Sequence, residues 1–472
     1  MTVEAFQELI LSNLPYEANS QQVQVVGALA RFCAPSAPQE AVFVLNGYAG
    51  TGKTSLTGAL VKALQAVNIQ TILLAPTGRA AKVFGAYAGR AAYTIHRKIY
   101  RHNISGSNIG YSEGMVQQNN NRNTIFIVDE ASMIGAGNER GGNVLEDLIQ
   151  YVYTGENCRL ILLGDTAQLP PVGSNESPAM NRDVLRGFGL RVTRATLTET
   201  ARQGRDSGIL YNATMLRRAM AAGADAGVPH LRIDGFEDVM TVTGEDLPEY
   251  IDQAYRRDGI DETIVITRSN RTAVDFNRAI RQQVLYLEEE LSRGELLIVA
   301  KNDYYWCRPV KGLEFIANGD IVSISHVYGT EAKYGFRFAD VRLALLDRDV
   351  EFDAKLMLET LHTDVPHLTQ ERSDRLYYSI LNDADLFSPD MPYDLRAKKL
   401  RDNPHWNALT VKYAYAVTCH KSQGGQWRNV FIDLSYIPAE ALGTEFYRWL
   451  YTAVTRARQH LYLIAPPDAL LK

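Results

Sequence analysis

The chain has 472 residues, ordinary apolar and charged content, and a formal net charge of −5. That length exceeds a single hydrophobic core, so two to four structural domains are expected, and the composition excludes a disordered or collagen-like chain. The mild acidity counts against a protein that coats nucleic acid non-specifically, but it leaves room for a narrow basic channel. No apolar run is long enough to span a bilayer and no basic segment precedes an apolar one, so neither a membrane span nor a signal peptide is expected. Cys33, Cys158, Cys307 and Cys419 lack metal-ligand spacing and read as scattered thiols of a cytoplasmic protein.

In chain order, Leu9, Ile10 and Leu14, then Val23, Val26, Leu29, Ala30 and Phe32, mark two amphipathic helices, with Asn19-Ser20-Gln21-Gln22 as a cap between them. Gln22 is open to two readings: a solvated glutamine, or an amide that reads adenine by donating and accepting at once. Val42 to Asn46 is a short apolar run that predicts a buried strand. It feeds Gly47-Tyr48-Ala49-Gly50-Thr51-Gly52-Lys53-Thr54, which fits G-x-x-x-x-G-K-[ST], a phosphate loop. In such a loop the backbone of Gly47, Gly50, Thr51 and Gly52 curls its N–H groups toward phosphate oxygens. The helix that follows adds its positive end near Lys53, Thr54 and Ser55. Lys53 is expected to reach the β- and γ-phosphates and the Thr54 hydroxyl to ligate Mg²⁺.

Leu56 to Leu64 predicts a helix; Thr71 to Ala75, Thr124 to Val128 and Arg159 to Leu163 predict buried strands. Strands alternating with helices imply a parallel sheet, with working residues at the carboxyl ends of strands. Asp129-Glu130-Ala131-Ser132 stands at one such end. Asp129 is expected in the metal shell, and Glu130 orients or deprotonates the attacking water; the plain alternative is a pair of surface acids in a turn. Gln168, in Gly164 to Val172 after the fourth strand, is the residue for the γ-phosphate or the water.

Lys98 to Asn123, with Tyr100, His102 and Tyr111, is too long and polar for a connector. It reads as an inserted hairpin or subdomain, or as a disordered loop. From about residue 200 the α/β pattern restarts. Strands are predicted at Thr263 to Thr267, Leu296 to Ala300, Thr410 to Val417, Val430 to Leu434 and His460 to Ile464, with helices over Asn270 to Leu285 and Phe446 to Thr455. Residues 301 to 409 interrupt this set: Ile321 to Val327 is β-rich, and Asp340 to Asn403 reads as an exposed, partly helical excursion.

These segments together resemble the superfamily 1 helicases of the B branch, in the Dda, RecD and Pif groups, from about Gln22 to Leu463. Gln22 with Val25 and Val26 is similar to the adenine-reading Q motif. Gly47 to Thr54 matches motif I, Ala75 to Lys82 motif Ia, Asp129 to Met133 motif II, and Gly164 to Val172 motif III. Leu197 to Gln203 resembles the segment that holds a γ-phosphate arginine. Ala416 to Gly424 matches motif V and Tyr451 to Ala457 motif VI. Motif V continues into Gly425-Gln426-Trp427, a departure from the usual wording.

The resemblance implies an α/β fold of two RecA-like parallel-sheet domains. Residues 1–97 and 124–200 would be the first, carrying the ATP site; 98–123 an inserted pin; 201–300 and 410–472 the second; 301–409 an SH3-like insertion with a tower. It implies that Arg202 and Arg456 reach the nucleotide from the far side of the cleft, with Gly424 nearby. Pro76, Thr77, Arg79, His96, Thr418 and His420 would contact DNA, with Tyr100 or Tyr111 on the pin. It implies ATP and Mg²⁺ as cofactors and 5′ to 3′ movement on single-stranded DNA with unwinding at duplex junctions. A cytoplasmic monomer is expected, meeting single-strand-binding, replication or recombination proteins. The competing readings are an RNA helicase of the same superfamily, a translocase or recombination-complex subunit that needs a partner, and a silent binding module.

Overall fold

In the computed structural model the residues described are 1–100, 116–135, 137, 143–199, 207–223, 228–311, 313, 315–346, 350–365, 368–388, 390–438 and 441–471. The first half is built on six parallel strands: β1 (Ala41–Gly47), β2 (Gln70–Ala75), β3 (Ala92–Thr94), β4 (Thr124–Val128), β5 (Arg159–Gly164) and β6 (Arg191–Leu197). Their order is β3-β2-β4-β5-β1-β6. Every residue of β1, β4 and β5 is buried, as unbroken apolar runs covered on both faces must be. The N-terminal helices form as expected. Asn19 caps the helix Ser20–Cys33 in a reciprocal box, accepting from the Gln22 N–H at 2.8 Å while Gln22 Oε1 accepts from the Asn19 N–H at 3.1 Å.

The second half begins with β7 (Val239–Val242) and β8 (Thr263–Thr267). The chain then leaves for a closed barrel of β9 (Leu296–Val299), β10 (Ile321–Lys333), β11 (Phe336–Leu345), β12 (Val350–Met357) and β13 (Leu409–Tyr413). It returns with β14 (Ala416–Thr418), β15 (Trp427–Asp433) and β16 (Ala457–Ile464), giving a second parallel sheet ordered β14-β8-β15-β16-β7. The fold is therefore α/β, two parallel-sheet halves with a barrel inserted in the second, where the SH3-like element was expected.

Three expectations change. Leu296 to Ala300 is not part of the second parallel sheet, because β9 pairs antiparallel with β10 (Ile321 to Ile298) and with β13 (Val411 to Val299). Thr410 to Val417 is not one strand. It breaks at Ala414 and Tyr415, where the Asn277 side chain takes the N–H groups of Tyr415 and Ala416 at 3.0 and 2.8 Å and returns its own amide to the Ala416 carbonyl at 2.9 Å. Finally, Phe336–Leu345 and Val350–Met357 are barrel strands, and among the described residues of the predicted excursion α-helix appears at Gln370–Leu381 and Tyr393–Arg401. The four cysteines are buried and none forms a disulfide. Among the described residues no helix is long and apolar enough to cross a membrane.

A buried ion pair locks the barrel to the second sheet. The helix Asn270–Ala279 continues into a π-turn carrying Arg281, whose Nε donates to Glu295 Oε1 at 2.6 Å. Glu295 also accepts from the Ser292 N–H at 2.7 Å, and Arg281 stacks on Tyr413 at 4.4 Å. Removing one member strands a buried charge. Arg281→Ala is expected to lower stability by about 3–5 kcal/mol, read as an earlier urea midpoint; a midpoint equal to that of the wild type would show the pair to be idle.

Candidate active site

Phosphate-loop geometry starts from the strand order. β1 lies between β5 and β6, so its carboxyl end opens beside that of β5, and the Thr166 N–H donates to Asn46 Oδ1 at 3.1 Å across the gap. The loop turns through Gly50 at φ 72° and Gly52 at φ 79°. At Gly52 a Cβ would also run into the Tyr16 hydroxyl and the Gln22 amide, so only glycine fits. Gly52 caps the helix Lys53–Ala66 without a side chain, leaving the amides of Lys53, Thr54 and Ser55 for an anion. Thr51 donates its hydroxyl to the Tyr48 carbonyl at 2.8 Å, and a Cβ on Gly47 would press on the Lys53 side chain. Gln22 is buried, not solvated. Its Nε2 donates to the Thr51 carbonyl at 3.0 Å, so it buttresses the loop.

Two acids face Lys53. The Asp129 carboxylate accepts from the Glu130 N–H at 2.9 Å. The protein packed around it pushes its pKa up to about 6, with the Lys53 ammonium pulling the other way. Asp165, at the end of β5, is raised by burial and likewise opposed by Lys53. Asp165 lies within Gly164 to Val172, where Gln168 alone was given a task from the sequence. The signal for Asp165 was the one that marked Asp129, an acid directly after a buried strand. Asp165 Oδ1 accepts from the Ala167 N–H at 2.9 Å and Oδ2 from the Tyr451 hydroxyl at 2.6 Å.

Glu130 sits in the left-handed region, at φ 53°, a strain that non-glycine residues hold only where their surroundings enforce it. Its Oε2 and the Oε1 of Gln168 are buried acceptors with no hydrogen-bond partner. A bound water or phosphate group would satisfy such atoms. The residues present therefore fit an ATP·Mg²⁺ site: amides and a lysine for phosphate, a hydroxyl and an acid for the metal, and two open acceptors for the water.

The second half reaches this site through the helix Thr444–Val454, through Gln423 and through Arg217. The Ala49 N–H of the loop donates to the Tyr451 hydroxyl at 2.9 Å, and the Leu169 N–H to Thr452 Oγ1 at 2.8 Å. Gln423 Nε2 donates to the Leu169 carbonyl at 2.9 Å. Arg456 is buried and spends its guanidinium on the Thr452 and Gly425 carbonyls and the Thr455 hydroxyl, at 3.0, 3.2 and 3.1 Å. Arg202 lies outside the described residues. Arg217, which sequence reading did not single out, stacks on Tyr48 of the loop at 4.4 Å.

Of the residues expected at DNA, Thr77 and Arg79 meet the second half, and Gly78 between them abuts Ala317 and Asp320 just ahead of β10. Thr77 follows Pro76 and caps the helix Gly78–Ala88; Thr418 caps the short helix Cys419–Ser422, which begins Cys419-His420. Gly424, expected at the nucleotide, packs on that first helix: at φ 72° its Cβ would sit 2.9 Å from Ala80 and 3.0 Å from Thr77 Oγ1. Arg79 lies over the Trp427 ring at 3.8 Å and donates to the Gln426 carbonyl at 3.3 Å. His96 and Tyr100 are ring neighbours at 5.6 Å. Tyr100 stands at the root of the insertion and donates its hydroxyl to Asp147 at 2.6 Å; Tyr111 lies outside the described residues.

Residues 17–236 match an AAA domain model and residues 413–464 a UvrD-like helicase C-terminal domain model. The chain is 25% identical over 451 residues to the ATP-dependent DNA helicase dda of Enterobacteria phage T4, covering 89% of this chain and 93% of that one. These matches support the resemblance to superfamily 1B helicases. Over 132 residues it is 35% identical to the ATP-dependent RecD2 DNA helicase of Deinococcus radiodurans, but these are only 27% of this chain and 16% of that relative's length. A crystal structure of Pif1 helicase from Bacteroides with ADP-AlF3 and single-stranded DNA aligns over 96% of this chain and 94% of its own at 14% identity, with a TM-score of 0.48.

The crowding of Asp129 has a sign that can be checked. Its pKa is raised from the usual carboxylate range to about 6, so the folded form holds its proton to higher pH than the unfolded chain. Stability therefore falls as pH rises through that window, and the cost persists above it. Asp129→Asn should raise the melting temperature of chelator-treated protein at pH 7 while removing ATP hydrolysis. An unchanged or lower melting temperature would contradict the crowding.

Proposed function

We propose that this chain is an ATP-dependent DNA helicase that moves 5′ to 3′ on single-stranded DNA and opens duplex at junctions. The observation that carries the reading is the clasp of Leu169 by Thr452 and Gln423. The segment that bears Gln168 on the nucleotide side is held by residues of the two motifs that also bear Thr418, His420 and Arg456. A displacement between the halves is thereby felt at both the hydrolysis site and the strand ends proposed for DNA.

In this reading residues 1–97 and 124–200 form the ATP-binding unit, and the later α/β residues close over it. The loop amides and Lys53 hold the phosphates; Thr54 and Asp129 hold Mg²⁺, which neutralises charge on the phosphate oxygens. Glu130 takes a proton from the attacking water and Gln168 orients it. Arg202 and Arg456 supply positive charge from the second half. Pro76, Thr77, His96, Thr418 and His420 contact the sugar-phosphate backbone of the single strand, with Arg79 beside them. The direction of travel rests on resemblance to the B branch.

Two duplexes test it, one with only a 5′ single-stranded tail and one with only a 3′ tail, each with ATP and Mg²⁺. Unwinding of the 5′-tailed duplex alone is expected. Unwinding from the 3′ tail alone would keep the ATPase and overturn the direction. In parallel, Lys53→Ala should abolish hydrolysis stimulated by single-stranded DNA, and matched RNA should stimulate the wild type less than DNA does.

A further inference from the structure

We propose that Tyr451 is a positioning residue for ATP hydrolysis, a hydroxyl that joins the second half's helix to the phosphate loop and to Asp165 at once. The proposal rests on the ATPase reading above. A tyrosine hydroxyl has one proton to give and lone pairs to accept with. Here the proton goes to Asp165 Oδ2 at 2.6 Å and a lone pair takes the Ala49 N–H at 2.9 Å. The first is short, as expected for a bond to a carboxylate. Tyr451 is 1% exposed and Asp165 2% exposed, so water does not substitute for either partner.

The helix Thr444–Val454 places two successive hydroxyls on one segment: Tyr451 on Asp165 and Thr452 on the Leu169 N–H. Between those anchors lies Gln168, with its open acceptor. Of these two hydroxyls, that of Tyr451 also holds the phosphate loop, through Ala49. Because Asp165 faces the Lys53 charge, a shift of the helix moves the carboxylate that opposes Lys53 and the loop amide together. Tyr451 thus acts through Asp165 and Ala49, and phenylalanine would take the donor from the buried Asp165 Oδ2 and the acceptor from the half-buried Ala49 N–H. The plain competitor is a bond that only glues the halves together.

Steady-state hydrolysis by the full chain, with an oligothymidine strand, separates the two for wild type, Tyr451→Phe, Asp165→Asn and the double variant. Affinity for the same strand is measured with and without a non-hydrolysable ATP analogue. A positioning role predicts that Tyr451→Phe loses about tenfold to a hundredfold in kcat, the scale of a displaced reacting group, with KM for ATP little changed. The double variant should be no slower than the slower single. The analogue's effect on strand affinity should shrink. If Tyr451→Phe fails to fold, Asp165→Asn alone must show the same split of kcat from KM, and its absence would overturn the proposal. A lower melting temperature with wild-type kcat, or losses that simply multiply, would also overturn it. A wild-type protein without strand-stimulated hydrolysis would overturn the motor reading and this role with it, whereas an active wild type with an unaffected Tyr451→Phe would overturn this role alone.

Discussion

Lys53 faces two acids crowded by protein, Asp129 and Asp165. Burial raises the pKa of both carboxylates, and the Lys53 charge opposes that rise. That charge group depends on three separate pieces of chain: a strand-to-helix loop for the lysine and two strand ends for the acids. Only a parallel sheet with β1, β5 and β4 side by side brings all three carboxyl ends to one edge. The buried apolar runs of these strands thus serve a polar end, and the deep packing of the first sheet is the condition for its chemistry.

Much of this was legible. A phosphate loop carries its own geometry, since glycines at set spacing, a lysine and a hydroxyl have few other uses together. An acid that follows an apolar strand is equally readable, which is why Asp129 stood out; Asp165 obeys the same rule and was given no task. The helical cap at Asn19 and Gln22 was visible too, because a capping box is local. Gln22 nevertheless defied the simple expectation of solvation, since its burial comes from the loop that folds over it.

What stayed hidden depends on distant pairing. Leu296–Val299 is four apolar residues, and apolar character is the same in a parallel sheet as in a barrel. Only its partners at 298–321 and 299–411 decide. β6 escaped notice for the opposite reason. Its sequence, RVTRATL, leaves most positions exposed or half-buried, as an edge strand can, so no apolar run announces it. Tyr451 was hidden within a recognised motif. Its neighbours in sequence identify the motif, while its task is set by Ala49, 402 residues away.

The two halves are joined by bonds of two kinds, and the difference bears on how they can part. At the nucleotide end the contacts include buried hydrogen bonds, through Tyr451, Thr452 and Gln423, beside the stacking of Arg217 on Tyr48. Each buried polar group left without a partner costs about 1–3 kcal/mol, so this end separates only when something else satisfies those groups. At the other end Arg79 rests on Trp427, the residue at which the chain departs from the usual motif V wording. An arginine–aromatic contact contributes about 0.5–2 kcal/mol, and the Arg79 bond to the Gln426 carbonyl beside it is exposed, so water or a phosphate can substitute there. Gly424 and Gly425 leave no room for a side chain there: a Cβ on either would collide with Ala80, Arg79 or Trp427. The junction is therefore close-packed yet cheap to release on the side proposed for DNA, and costly to release on the side proposed for ATP. A strand phosphate competing for Arg79 would loosen the first contact without touching the second, so occupancy by DNA and by nucleotide would act on different bonds of one shared interface.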